Sequence, residues 1–119
     1  MLVVSDASPI NILVRLGQVE ILASLFSTVV IPTSVTQEMS RSQTPQIVRE
    51  WINTPQTWLS IRAPSVPQVL PSPRHRGEQD AIQLAQELKA DAILLDEARP
   101  RAQAAKLGLL VVGTVGLLE

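Results

Sequence analysis

Apolar residues recur along this chain with two different spacings, and the switch from one to the other marks out the elements. Leu2, Val3 and Val4 are a continuous apolar run that opens a strand over residues 2–5, the pattern of a strand buried on both faces. "ASPINILVRLG" follows with helical spacing, Ser8 and Pro9 as start signals and Gly17 as a stop. "VEILASLF" repeats that spacing through Val19, Leu22, Ala23 and Phe26 and predicts a second short helix. "TVVIP" is β-branched and ends at Pro32, which predicts the second strand. "TSVTQEMS" then starts a helix capped by Thr33 or Ser34.

The middle of the chain is the least regular. Pro45 begins a helix running through Trp51, "TWLSIRA" reads as an edge strand, and residues 63–76 form a proline-rich loop. A loop of that length in a compact domain points to function or flexibility. From Gly77 the pattern sharpens again. Ala81, Leu84, Ala85 and Leu88 stand at i, i+3, i+4 and i+7 of an amphipathic helix. "DAILLDE" is an apolar strand running into acids, "ARPRAQAAKLG" a helix closed by Gly108, and "LLVVG" a last strand. This β-α-β alternation predicts one α/β domain over residues 1–119, with a mainly parallel sheet covered on both faces. "TVGLL" begins one more helix, so the sheet edge is covered by a partner or the domain is a shortened version of a longer one.

Composition narrows the chemistry. Cysteine is absent, which removes disulfides and thiolate metal sites and fits a reducing cytoplasm. The start lacks a basic n-region and meets Asp6 too early for a signal peptide, and "LGLLVVGTVGLL" is too short and glycine-broken to span a bilayer. The formal net charge is −1, but its distribution is uneven. Setting aside Asp6, Glu38, Glu78, Asp80, Asp96 and Glu97 leaves five acids against ten basic residues. Either that is chance patterning, or an acidic pocket sits on a basic body and handles a polyanion.

Five of those acids fall where α/β proteins place their sites, beyond the carboxyl ends of parallel strands. Asp6 and Asp96 end strands, Glu38 lies in the helix after the second strand, and Glu78 and Asp80 open the helix before the Asp96 strand. Each also has an ordinary structural role. Asp6 would cap the next helix, Glu78 and Asp80 would answer a helix dipole, and Glu38 and Glu97 would be surface residues. Their conjunction is what argues for a site, because clustered carboxylates repel unless they share protons or cations. With no cysteine and one histidine, an all-oxygen donor set points to Mg²⁺ or Mn²⁺.

"VVSDASPINILVRLG", "IPTSVTQEM" and "GEQDAIQLAQELKADAILLDEARPRAQAAKLGLLVVGTVGLL" together resemble a PIN domain, most closely the branch related to VapC-type toxin ribonucleases. The likeness rests on the D-A-S-P start, the G-E-x-[ED]-A-I helix start and L-L-D-[DE], and it spans most of the chain outside the proline-rich middle. It implies a three-layer α/β/α fold around a five-stranded parallel sheet. It also implies a metal-dependent endoribonuclease that uses Mg²⁺ or Mn²⁺. Asp6, Glu38, Asp80 and Asp96 match the family's acids, with Glu78 beside Asp80, Glu97 beside Asp96, and Ser8 as a small hydroxyl residue near the metal. Here the acid after Asp96 is glutamate where aspartate is commoner, so the choice between Asp96 and Glu97 stays open, as does that between Glu78 and Asp80.

Arg74, Arg76, Arg99 and Arg101 flank the acidic stretches, either to grip an RNA backbone or to form surface salt bridges. His75 lies among them, solvated or touching phosphate. A homodimer is expected from Leu117, Leu118, Trp51 and Trp58, read as exposed apolar groups, together with a small antitoxin protein as second partner. Competing readings fit less well. A phosphoaspartate phosphatase wants an acid where Ser8 stands. A receiver wants an acidic pair near the first strand and a lysine after a late strand. A dinucleotide binder wants a glycine-rich first turn. A PIN-like binding or scaffold module remains the non-enzyme alternative.

Overall fold

The computed structural model describes residues 1–65 and 75–118. Most of the proline-rich loop, and Arg74 with it, lies outside the described residues. The strands are β1 (Leu2–Ser5), β2 (Thr28–Pro32), β3 (Leu59–Arg62), β4 (Ala92–Leu94) and β5 (Val111–Val112). They form one sheet in the order β3-β2-β1-β4-β5, and every pairing is parallel. The helices are α1 (Ala7–Arg15), α2 (Ile21–Leu25), α3 (Thr33–Met39), α4 (Gln46–Ile52), α5 (Arg76–Glu87), α6 (Ala98–Lys106) and α7 (Thr114–Leu118).

The continuous apolar strands are explained by a core on each side. Side chains alternate across a strand, so Val3, Val29, Ile31, Ala92 and Leu94 face one cluster, and Val4, Val30, Ile93 and Leu95 face the other. The register keeps like with like: Val3 lies opposite Val29 and Ala92, and Val4 opposite Val30 and Ile93. The first cluster is covered by Ile10, Leu13 and Val14 of α1, Leu22 of α2, Val35 and Met39 of α3, and Val48 and Ile52 of α4. The second is covered by Ala81, Ile82, Leu84 and Ala85 of α5 and Ala104 of α6. The result is the expected α/β/α sandwich. At the chain reversals expected after α1 and α6, Gly17 and Gly108 take positive φ of 69° and 81°.

Two expectations need correction. Neither Thr33 nor Ser34 caps α3: Pro32 takes the capping position and no side chain bonds there. The Ser34 hydroxyl is engaged elsewhere, donating to Asp80 Oδ2 at 2.6 Å. Leu117 is not exposed. The short α7 turns back onto the first face of the sheet and seats Leu117 in that core, leaving Leu118 and Val115 outside. The two tryptophans are half-buried, packed on the same core with ring centroids 5.9 Å apart.

Candidate active site

The strand order reverses between β1 and β4, so the connections leaving these neighbours diverge and open a crevice at the carboxyl edge. Asp6 stands there. Its amide donates to Leu94 O at 3.1 Å, which ties the end of β1 to β4. Its backbone occupies the N-cap position of α1, yet its carboxylate makes no capping hydrogen bond. Capping alone therefore does not account for this carboxylate, although the Ala7 amide at the helix start still favours its charge. The side chain is instead buried beside other acids, and its pKa is pushed up to about 6, from 3.8. Desolvation is the main cause. The Ala7 amide pulls the other way, and Glu38, Glu97 and Asp96 add smaller upward contributions.

Glu38 reaches the same place from α3. Burial raises its pKa too, against a downward pull from Arg41 and with a further push from Glu97. A cavity of about 260 Å³ is lined by Asp6, Ala7, Ser8, Glu38, His75, Glu78 and Glu97. Gly77, at the start of α5, keeps this space open: a Cβ there would lie 3.5 Å from Asp6 Oδ1, 3.9 Å from Glu38 Oε2 and only 3.2 Å from Val35 Cγ2. Sequence reading took Gly77 merely as a helix start. The oxygens of Asp6 and Glu38 thus both stand within 4 Å of one point that only glycine leaves empty.

The remaining acids divide into two groups. Glu78 and Glu97 line the cavity, whereas Asp80 and Asp96 do not. Asp80 is buried with its Oδ2 held by Ser34. Asp96 stands at the same sheet edge as Asp6 but accepts two hydrogen bonds from the start of α7, from Thr114 N at 2.7 Å and Thr114 Oγ1 at 2.6 Å. Glu78 is itself paired with Arg99 from α6, and His75 Nδ1 lies 3.1 Å from Glu78 Oε1 and 3.0 Å from Arg99 Nη2. That nitrogen donates to Glu78 or accepts from Arg99, according to which ring nitrogen carries the proton. Arg101 turns inward and donates to Leu95 O at 2.7 Å, while Arg76 is exposed at the head of α5.

Among the described residues, no three Asp, Glu, His or Cys side chains stand close enough to hold a metal ion by themselves. Of the four acids expected to converge, Asp6 and Glu38 line the cavity, while Asp80 accepts from Ser34 and Asp96 from Thr114. The donor set nevertheless fits Mg²⁺, which binds through one or two carboxylates and keeps several waters and substrate oxygens for its other positions. Asp6 and Glu38 supply two hard oxygen donors across a glycine-sized gap, in surroundings that disfavour uncompensated negative charge.

An α/β sandwich with carboxylates gathered at its switch point defines a class of protein before any comparison. A family model described as DUF3368, a PIN domain, matches residues 2–119, and the chain belongs to that family. PIN domains are generally nucleases that use divalent metals. Among solved structures it is similar to a PilT N-terminus domain protein from the archaeon Sulfolobus solfataricus. That match has a TM-score of 0.65 and 22% identity, over 99% of this chain and 91% of the other. No curated protein matches the chain. No helix among the described residues is long and apolar enough to cross a membrane.

Proposed function

We propose that this protein is a metal-dependent endoribonuclease that hydrolyses RNA phosphodiesters with Mg²⁺ or Mn²⁺, and that it is the toxin of a toxin–antitoxin pair acting in the cytoplasm. The observation that carries the catalytic part is Asp6: a buried carboxylate with no capping hydrogen bond, at the cavity with Glu38 and Glu97, its pKa pushed up to about 6. Burying such a group costs stability, and a divalent cation is the partner that would offset the cost.

Asp6 and Glu38 would hold the ion, with Glu97 at the rim and Ser8 beside Asp6 to orient a water or phosphate oxygen. When bound, the ion supplies a more acidic water and positive charge at the cleaved phosphodiester. Arg99 screens Glu78, so one wall of the cavity is less hostile to a polyanion. Arg76, exposed at the head of α5, would meet the RNA backbone. Asp80 and Asp96 act one step back: Asp80 joins α5 to α3, and Asp96 anchors α7 beside the end of β4. No side-chain nucleophile enters this scheme.

The test is cleavage of a mixed single-stranded RNA pool by the pure protein, with activity lost on chelation and in Asp6→Asn. Cleavage that survives both would reject the reading. A binding or scaffold module is the second reading, favoured by the absence of any close trio of ligands among the described residues. RNA bound but left intact with either metal would decide for it.

The association part of the proposal joins two copies, and in the cell adds an antitoxin that covers the acidic cavity. Leu110, Val115 and Leu118 are exposed beside the short edge strand β5, a surface suited to a second copy. A single 13.0 kDa species in sedimentation at micromolar concentration would contradict the dimer.

A further inference from the structure

A second cavity, of about 350 Å³, adjoins the acidic one and shares Ala7, Ser8 and Glu38 with it. Its own walls are Asn11, Ile12 and Arg15 from α1, Met39 from α3, and Thr44 from the turn that follows. The periodicity of α1 accounts for this surface. Pro9, Ile10, Leu13 and Val14 are buried against the core, which leaves Ser8, Asn11, Ile12 and Arg15 at i, i+3, i+4 and i+7 along the opposite stripe. That stripe runs from the acidic cavity to an exposed cation about 10 Å along the helix.

The lining has a particular chemical character. Most of the lining is polar; Ile12, about one-third exposed, gives it one apolar side, and Met39 lies buried beneath. Asn11 is half-buried, and its amide has no hydrogen-bond partner among the described residues. Arg15 likewise pairs with no acid among them. Thr44 is held in place, donating to Glu38 O at 3.2 Å while its own carbonyl accepts from Arg49 Nε at 3.0 Å. A mostly polar slot with one apolar side at Ile12, a free amide, and a cation at its outer end matches a base face, its hydrogen-bonding edge and the next phosphate. Such a base has to be unpaired, because in a duplex its edges and faces are already occupied.

We propose that this cleft is a base-reading subsite: it takes the unpaired nucleobase next to the scissile phosphate of single-stranded RNA. Asn11 reads the base edge, Ile12 packs on its face, and Arg15 holds the following phosphate. The inference rests on the nuclease reading for its direction along the strand, but the binding it describes needs no metal and no cleavage.

Binding is therefore the test. Labelled single-stranded RNA tetramers that differ at one position are titrated by fluorescence anisotropy into the full-length Asp6→Asn protein in EDTA, beside a short RNA duplex. The expected result is a spread of about tenfold in Kd between the best and worst base, with the duplex weaker than the best tetramer. Adding Asn11→Ala collapses the spread. Adding Asn11→Asp, which keeps the shape and removes the two amide donors, changes which base is preferred. Arg15→Ala weakens all tetramers alike. A spread that both Asn11 variants leave unchanged overturns the proposal, as does equal binding of duplex and tetramers, or no binding of any tetramer. Base-selective binding by a native protein that never cleaves RNA would reject the nuclease reading and leave this subsite standing.

Discussion

Asp6→Asn raises the melting temperature of the metal-free protein at pH 7 by roughly 5–15 °C, although it removes the residue on which the proposed activity rests. The cause is the buried charge. In the folded chain Asp6 titrates near 6, while its ordinary value is 3.8. Between those values the folded state holds a proton that the unfolded state has released, so stability falls as pH rises through the window. The penalty is absent below about 3.8 and complete above about 6, and a shift of this size corresponds to roughly 3 kcal/mol. Asparagine carries no charge to desolvate at any pH. Melting curves of the two proteins should therefore nearly coincide at pH 4 and separate as pH rises to 7. A variant no more stable than the native chain at pH 7, or a gap that does not change with pH, would show that Asp6 is not held in the environment described. Glu38, raised in the same direction, adds to the pH slope of both proteins.

The second large effect is the separation of the acids by what their loss does. Asp6→Asn and Glu38→Gln should each reduce RNA cleavage by a factor on the order of 10² or more, with melting temperature held or raised. Asp96→Asn should behave differently. Its carboxylate accepts two hydrogen bonds from Thr114, and weakening charge-assisted bonds of this kind costs about 1–3 kcal/mol, so α7 loosens and stability drops. Asp80→Asn weakens the Ser34 bond in the same way. Activity measured well below the melting point, beside a melting curve for each variant, separates the groups. If Asp96→Asn abolishes cleavage with stability intact while Glu38→Gln changes nothing, the ligands have been assigned to the wrong acids.

Much of this protein is legible in its sequence because local and long-range signals agree. β2 ends where Pro32 ends its apolar run, and the helix beginning near Gly77 carries its buried stripe as spaced. Asp6 stands out since a charge closing an apolar strand has few inexpensive explanations. The choice between neighbours is harder to read. Glu78 and Asp80 lie two residues apart on a helix and so point in widely different directions, and both are buried. One enters the cavity and the other meets Ser34, a partner 46 residues away that no local pattern reveals. Asp96 and Glu97 are separated in the same manner by Thr114. Leu117 was misread for a tertiary reason: five residues of helix return to a face of the sheet that its own sequence cannot name. No local pattern singles out Asn11 or Arg15. Their meaning depends on the neighbouring cavity, which exists only once α1 and α3 are packed together.

The most direct test of the central claim, that the crevice at the end of β1 is built around a divalent cation, is calorimetric titration of Mn²⁺ into the native protein and into Asp6→Asn at pH 6. Because Asp6 is then about half protonated, binding to the native chain should release protons, seen as a heat that varies with the ionisation enthalpy of the buffer. The account predicts saturable binding with proton release in the native protein, and binding at least tenfold weaker, without the release, in the variant. Equal affinity and equal heats for the two proteins would contradict it.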